Sequence, residues 1–325
     1  MLRPAIVLHE AGDADQLRLE DVNVPAPEAG QVQIRQTAIG VNFHDVYVRS
    51  GLYKTLPLPG ILGLEATGVV TAVGTGATRY APGDRVAYLT RQYGGYAAER
   101  VIDEDLLVPV PDGISDEVAA THLLKGLTAY ALAHEVYAIQ ADDYVLVHAA
   151  AGGVGSLLCQ WAAAKGATVI GTVGNAEKAE IAHRNGCKHV ILYREEDFVQ
   201  RVSEITKGEG VQVAYDSVGK DTFAGSLACL APCGHLANFG QASGPIPPFE
   251  ISQLFPKANS VSRMSVFVHF RHADRRRQVA ERLFAALLDG TLTPSQIQTF
   301  SLADAAAAHR ALESRDRLSS LALIP

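Results

Sequence analysis

No cysteine precedes Cys159, and the chain has four in all, Cys159, Cys187, Cys229 and Cys233. They do not read as a disulfide framework, and the residues before Cys159 hold no thiolate for a structural zinc. Charge is sparse as well: 19% of the 325 residues are charged and 48% are hydrophobic, a balance that argues against disorder and allows a large core near the length of two domains. Nor is there a surplus of positive charge, since the net charge is −7, so no broad basic surface offers itself to nucleic acid or an anionic membrane. The cluster Arg271 to Arg277 is a local exception and reads as a solvated face preceding an amphipathic helix. No uninterrupted apolar run reaches membrane-spanning length, and the apolar run after Met1 is too short for a secretory leader. The expectation is a soluble cytoplasmic protein.

What the chain does have is a strand, a small-residue turn and a helix between Asp142 and Lys165. Tyr144 to Val147 is a short run of β formers, Ala149 to Gly155 is nearly all Ala and Gly, and apolar spacing resumes at Leu157, Leu158 and Trp161. Small residues at such a turn let the backbone approach a pyrophosphate, whose charge is met by N–H groups at the helix N-terminus. The spacing Ala149-x-x-Gly152-x-x-Gly155 is a relaxed dinucleotide fingerprint, equally compatible by itself with tight packing. Ala167 to Val173 supplies the second strand of a βαβ unit. At its end an NAD site carries a carboxylate for the ribose 2′-hydroxyl, yet here the tip is Gly174-Asn175 with Lys178 just beyond. A missing carboxylate removes repulsion toward a 2′-phosphate and a nearby cation adds attraction, so the site leans toward NADP(H). The competing reading of Lys178 is a solvated helix residue.

Residues 1 to about 124 are short β-like runs separated by Gly and Pro: Ala5–Leu8, Gln31–Ala38, Ala66–Ala72, Arg85–Tyr88 and Tyr96–Val101. From about Leu123 helices alternate with apolar strands, predicting helices over Ala176–Asn185, Phe198–Thr206 and Thr222–Leu230 and strands over His189–Tyr193, Gln212–Asp216 and Gly234–Phe239. That alternation implies a parallel, doubly wound sheet. Ser260–Phe270 reads as a final strand, followed by helices Gln278–Leu288 and Leu302–Glu313 and a strand Ser319–Ile324.

Gly40-Val-Asn-Phe-His-Asp-Val-Tyr-Val-Arg-Ser-Gly-Leu-Tyr53, Gly63-Leu-Glu-Ala-Thr-Gly68, Leu124-Lys-Gly-Leu-Thr-Ala-Tyr130, the Ala149–Gln160 turn and helix, Tyr215-Asp-Ser-Val-Gly219 and Leu312-Glu-Ser-Arg315 together carry a resemblance over nearly the whole chain. It resembles the zinc-independent quinone oxidoreductases of the medium-chain dehydrogenase/reductase superfamily, the group that includes zeta-crystallin. The resemblance implies an α/β fold: a GroES-like, mostly β catalytic domain over residues 1–124 and 267–325, a Rossmann domain with a doubly wound parallel sheet inserted over 125–266, and NADPH in the cleft between them. Where zinc-dependent relatives place ligands, this sequence has Asn42, Leu64 before Glu65, and Lys125, which is similar to the zinc-free pattern. Cys229-x-x-x-Cys233-x-His235 is a poor substitute, lacking a fourth partner.

By the same resemblance Asn42 contacts the nicotinamide ribose side of the cofactor, and Tyr47 and Tyr53 line the acceptor pocket, with Asp45 beside them as a catalytic or orienting group. Packing is the competing role for both tyrosines. Lys125 and Thr128 go to the nicotinamide end, Gly152, Gly153, Val154 and Gly155 to the pyrophosphate turn, Gly174, Lys178, Tyr193 and Arg315 to the 2′-phosphate end, and Phe239 and Gly240 flank the nicotinamide. Without a Lewis acid the favoured substrate is a quinone, whose reduction places charge on an oxygen already delocalised through a π system. Reduction of an enone or enoyl C=C bond is the alternative within enzymes, and a non-catalytic NADPH-binding structural or RNA-binding protein the alternative of another class. One departure is the stretch Met264-Ser-Val-Phe-Val, where near relatives carry Thr-Arg-Pro. Read as a strand, Ser265–Phe270 is suited to pair with its twin across a twofold axis, which predicts a homodimer.

Overall fold

The computed structural model describes residues 1–314 and 317–325. It divides into two compact units, one of Met1–Leu124, Phe270–Leu288 and Pro294–Pro325, the other of Lys125–His269 and Asp289–Thr293.

In the first unit the strand Gln31–Val41 is the organising element. Val32, Ile34 and Gln36 alternate inward, and a register irregularity between Gln36 and Ala38 then carries the run Ala38–Val41 into surroundings buried on both faces. Among the described residues it belongs to a seven-stranded sheet with Glu65–Val73, Arg85–Leu89, Leu107–Pro109, Glu99–Asp103, Ser320–Ile324 and Ile297–Ser301. Its pairing is antiparallel except between Ile297–Ser301 and Ser320–Ile324. Leu2–Leu8 pairs with Leu17–Asn23 and Gly60–Ile61 in a smaller sheet. Ile34, Ile39, Tyr88, Tyr96, Leu321 and Leu323 form the centre of the core, closed by Ala305, Ala308 and Leu312 from the helix Ala305–Glu313.

The second unit is α/β. Its six strands stand in the order His189–Leu192, Thr168–Val173, Tyr144–His148, Val211–Asp216, Leu230–Asn238 and Ser260–Arg263, all parallel. Helices Gly153–Ala164, Ala176–Arg184, Phe198–Ile205 and Phe223–Ala228 alternate with them, giving the doubly wound Rossmann order. The order reverses between Tyr144–His148 and Val211–Asp216, and beyond the carboxyl ends of those two strands a ligand crevice is expected. No helix among the described residues is long and apolar enough to cross a membrane.

Two expectations need correction. The final strand covers only Ser260–Arg263, and Val266–His269 is a short helix. Its partner Leu230–Asn238 ends opposite Arg263, so the following amides find local acceptors: the Val268 and His269 N–H groups both donate to the Ser265 carbonyl. The Arg271–Arg277 cluster is not simply a solvated face. The helix Ala273–Leu288 begins inside it, and Arg276 is buried, donating to the Phe270 carbonyl at 2.9 Å and to the Asp105 carbonyl.

Candidate active site

The glycine turn is built by backbone contacts. Ala149 leaves the strand Tyr144–His148 with φ +52°, and its carbonyl accepts the Gly152 N–H at 2.8 Å. The helix Gly153–Ala164 then starts over that carbonyl. A Cβ on Gly155 would lie 2.3 Å from the Ala149 oxygen, and one on Gly153 would strike the Lys125 aliphatic stem at 2.7 Å. The first N–H groups of an α-helix have no intrahelical acceptor, so this turn presents donors where side chains are excluded, a fit for a pyrophosphate.

The tip of the next strand brings Gly174 against Tyr193 and Arg194, with Lys178 in the first turn of the helix that follows. A Cβ on Gly174 would sit 3.1 Å from the Tyr193 hydroxyl and 3.4 Å from Arg194 Nε. Asn175 caps the helix Ala176–Arg184, its Oδ1 accepting the Lys178 N–H at 2.9 Å, and Lys178 is half-buried in the first turn. In the sequence the pair Tyr193-Arg194 follows a strand C-terminus, a ligand position in doubly wound sheets, although only Tyr193 of the two was assigned to the site. Arg315 lies outside the described residues.

At the end of Val211–Asp216 the buried Asp216 carboxylate accepts the Val218 N–H at 2.8 Å, the Gly219 N–H at 2.9 Å and the Thr222 hydroxyl at 2.8 Å. The Phe239 N–H donates to the Asp216 carbonyl, and Gly240 packs so closely that a Cβ there would be 2.4 Å from the Ser217 oxygen. Phe239 and Gly240 are thereby pinned beside the switch point of the sheet. Lys125 and Thr128 are both buried on the helix Asp116–Ala131.

In the first unit, the segment Asn42–Tyr53 forms a short helix, Phe43–Arg49, and a turn. The Tyr47 and Tyr53 rings meet edge to face with centroids 5.1 Å apart, His44 meets Tyr53 at 5.3 Å, and His44 Nε2 bonds the Tyr93 hydroxyl at 3.0 Å. All four rings are half-buried. Burial, reinforced by Arg91, pulls the His44 pKa down to about 4, so the ring is neutral near pH 7. Asn42, the N-cap of that helix, and Asp45 in its first turn are both buried. Asp45 Oδ2 accepts the Asn42 N–H at 2.9 Å and the Tyr96 hydroxyl at 3.2 Å.

Behind Asp45 a one-way chain of hydrogen bonds runs back to the helix Ala305–Glu313. Arg49 Nη1 lies 3.3 Å from His309 Nδ1, and His309 Nε2 lies 2.9 Å from the Tyr96 hydroxyl. A guanidinium only donates, so Nδ1 must accept, Nε2 carries the proton and donates to the Tyr96 oxygen, and the Tyr96 hydroxyl is left to donate to Asp45. The same Arg49 makes a bidentate pair with Glu313 at 2.9 and 3.1 Å. Burial, and then Arg49, lowers the His309 pKa to about 3, in accord with a neutral ring. Burial pushes the Asp45 pKa up to about 7; the Asn42 N–H opposes that shift and the Glu65 charge adds to it.

Residues 28–112 match the family model of the alcohol dehydrogenase GroES-like domain and residues 153–285 that of the zinc-binding dehydrogenase. A quinone oxidoreductase of Salmonella typhimurium is 42% identical over 323 residues, 98% of this chain and 99% of that protein. A 2-haloacrylate reductase of a Burkholderia species is 41% identical over 328 residues, 99% of this chain and 98% of that protein. The crystal structure of Escherichia coli quinone oxidoreductase complexed with NADPH aligns with a TM-score of 0.96 at 41% identity, covering 99% of this chain and 100% of that one. This chain belongs to the quinone oxidoreductase family of the medium-chain dehydrogenase/reductase superfamily.

Within this quinone oxidoreductase family member, the donor set does not fit the zinc that one family model is named for. Among the described residues no three His, Cys, Asp or Glu side chains gather as a metal site. Cys233 is exposed while Cys229 is buried, and both His235 nitrogens bond serine hydroxyls, those of Ser260 at 2.7 Å and Ser262 at 2.9 Å. The structure also brings forward residues that sequence reading left out of the site: Glu65, Tyr93, Tyr96, His309 and Asp216. Asp216 and Glu65 stood within quoted motifs. Tyr96 and His309 gave no local signal, since their partners lie far off in the chain.

Proposed function

We propose that this protein is an NADPH-dependent quinone reductase working without a metal Lewis acid. The observation that carries the reading is the carboxylate-free tip, where Gly174 packs against Tyr193 and Arg194 and Lys178 follows in the first turn of the next helix, beside a glycine turn that a Cβ would fill. It occurs in a chain 42% identical over nearly its full length to a quinone oxidoreductase. Gly152, Gly153, Val154 and Gly155 would hold the pyrophosphate, Lys178, Tyr193, Arg194 and Arg315 the 2′-phosphate, and Lys125, Thr128, Phe239, Gly240 and Asn42 the nicotinamide end. Bound there, NADPH supplies a hydride or its electrons to the acceptor. Tyr47 and Tyr53 present aromatic edges and hydroxyls suited to a planar, electron-poor ring, and His44, neutral and hydrogen-bonded to Tyr93, packs on Tyr53. Asp45 is fully buried and acts by holding Asn42 rather than by touching an acceptor.

The 41% identity to a 2-haloacrylate reductase favours a second reading, reduction of an activated C=C bond by the same cofactor arrangement. Steady-state kinetics with NADPH and NADH against a panel of quinones and conjugated enones, with and without a chelator, tests both. The first reading expects NADPH-linked turnover of 1,4-benzoquinone or naphthoquinone that a chelator leaves unchanged; turnover of enones alone would replace it by the second.

The same reading includes a homodimer. Its support is the strand Ser260–Arg263 at the edge of the six-stranded sheet and, in the segment just before it in the chain, the apolar side chains Ile251 and Phe255, which are 79% and 87% exposed. Such an edge suits pairing with a second copy, and it replaces the Ser265–Phe270 segment expected from sequence. A cytoplasmic enzyme drawing on the NADPH pool is the setting assumed, and cell fractionation tests it.

A further inference from the structure

Glu65 opens the strand Glu65–Val73 and is completely buried. Its Oε1 accepts the Asn42 Nδ2 amide at 2.8 Å, and its Oε2 accepts the Leu124 N–H at 2.7 Å. The space for it is made by Gly40: a Cβ there would lie 2.5 Å from Glu65 Oε1 and 2.2 Å from the Ala120 carbonyl, so any side chain would expel the carboxylate or the helix Asp116–Ala131. Both carboxylate oxygens therefore act as acceptors in a pocket built for them.

This has a directional consequence for Asn42. A carboxamide has one face that donates and one that accepts, and a carboxylate only accepts. Glu65 thus takes the Nδ2 face, and Oδ1 is turned away from it, toward the Asp45 main chain with which it completes the capping box of the helix Phe43–Arg49; a carboxamide oxygen has two lone pairs, so it can accept from a ligand as well. Asp45 holds the same residue by its main-chain N–H, so Asn42 is gripped at backbone and side chain by two different groups.

We propose that Glu65 is a positioning residue for cofactor binding: it orients the Asn42 carboxamide so that Oδ1 is presented to a donor on the ligand, a ribose hydroxyl at the nicotinamide end of NADPH. The proposal rests on the reading of Asn42 as a cofactor contact. Loss of a hydrogen bond to an ionised group in a buried site costs roughly tenfold or more in affinity.

The test is a double-mutant cycle read by NADPH fluorescence titration on the full chain, with thermal melts confirming that each variant is folded. Glu65→Gln should weaken NADPH about tenfold in the wild-type background and by less than about twofold when Asn42 is already Ala. It should raise KM for NADPH while leaving KM for the quinone unchanged, a split that general loosening of the core does not produce. Asn42→Asp sets an oxygen against Glu65, and adding Glu65→Gln to it restores a donor, so the double variant should bind NADPH more tightly than Asn42→Asp alone. If Glu65→Gln melts below the assay temperature, Glu65→Asp, which withdraws the carboxylate by one methylene, takes its place in the same cycle. Equal losses in the wild-type and Asn42→Ala backgrounds, or no rescue of Asn42→Asp, overturn the role of Glu65 alone. Unchanged NADPH affinity in Asn42→Ala overturns the placement of Asn42 itself.

Discussion

Gly155 sits over the carbonyl of Ala149 so closely that a Cβ on it would lie 2.3 Å from that oxygen. The contact is with backbone, which cannot rotate aside. Gly155→Ala must therefore move either the start of the helix Gly153–Ala164 or the Ala149 turn, both of which shape the pyrophosphate cradle. NADPH affinity measured by titration calorimetry should fall by at least about tenfold, with a destabilisation of about 1–3 kcal/mol seen in urea melts. Undiminished binding would remove the turn from the cofactor site.

At the other end of the cofactor, Lys178 stands one turn beyond the Gly174-Asn175 tip. Lys178→Ala should raise KM for NADPH by roughly tenfold, in line with loss of a charge-assisted contact, and leave KM for NADH nearly unchanged. Equal losses for the two nucleotides would contradict the 2′-phosphate assignment.

Asp45 makes stability depend on pH in a definite direction. Its pKa is raised from 3.8 to about 7, burial being the largest cause, so the folded state holds a proton that the unfolded chain has released. The stability this contributes is fully present below about pH 4 and is lost as pH rises toward 7. The lowered pKa values of His44 and His309 act in the opposite sense, their contribution being lost as pH falls below 6.5, and they remain in an Asp45→Asn variant. Asn at position 45 keeps an acceptor for the Asn42 N–H and the Tyr96 hydroxyl and does not ionise. In urea melts the variant should therefore gain on the wild type between pH 4 and 7, by an amount on the order of a few kcal/mol, and the gap should stop growing above about pH 8. A gap that stays flat over that range would refute the assignment.

The thiols should separate cleanly by exposure. Cys159, Cys187 and Cys229 are buried and Cys233 is exposed. Burial holds the Cys229 thiol up at about 12, and the neighbouring Cys187, with its Sγ 3.4 Å away, holds that of Cys159 well above the usual range. Treatment of the native protein with an aromatic disulfide reagent at pH 8 should modify Cys233 rapidly and the other three only on unfolding. Cys233→Ser should abolish the fast phase.

Phe255, 87% exposed and five residues before the edge strand Ser260–Arg263 in the chain, should govern association. Phe255→Asp places a charge on that surface and should shift the species sedimenting at micromolar concentration from dimer to monomer without changing the melting temperature of the monomer. A wild-type protein that already sediments as a monomer would end the homodimer reading.

The parallel sheet was legible because strands buried on both faces are short apolar runs, and Tyr144–Val147 and Gln212–Asp216 show that pattern locally. Ser265–Phe270 shows the same local texture yet turns into a helix, since a strand needs a partner and Leu230–Asn238 stops opposite Arg263. The basic run from Arg271 misled for a related reason: Arg276 is buried because distant carbonyls receive it. Nothing near a charge in the chain shows whether such a partner exists.

The sequence by itself determined the chemistry available: the small residues of the Ala149–Gly155 turn, the tip without a carboxylate at Gly174-Asn175, the tyrosines at 47 and 53, and the scarcity of thiolates. These are local properties, written in residue type and spacing. Only the tertiary structure decided how that chemistry is held. Asn42 meets Glu65 and Asp45 meets Tyr96, with His309 and Arg49 behind, across separations of 23 to 260 residues. A carboxylate or imidazole takes its protonation state and its direction from the groups it faces. Those groups come together only when the sheet around Gln31–Val41 closes.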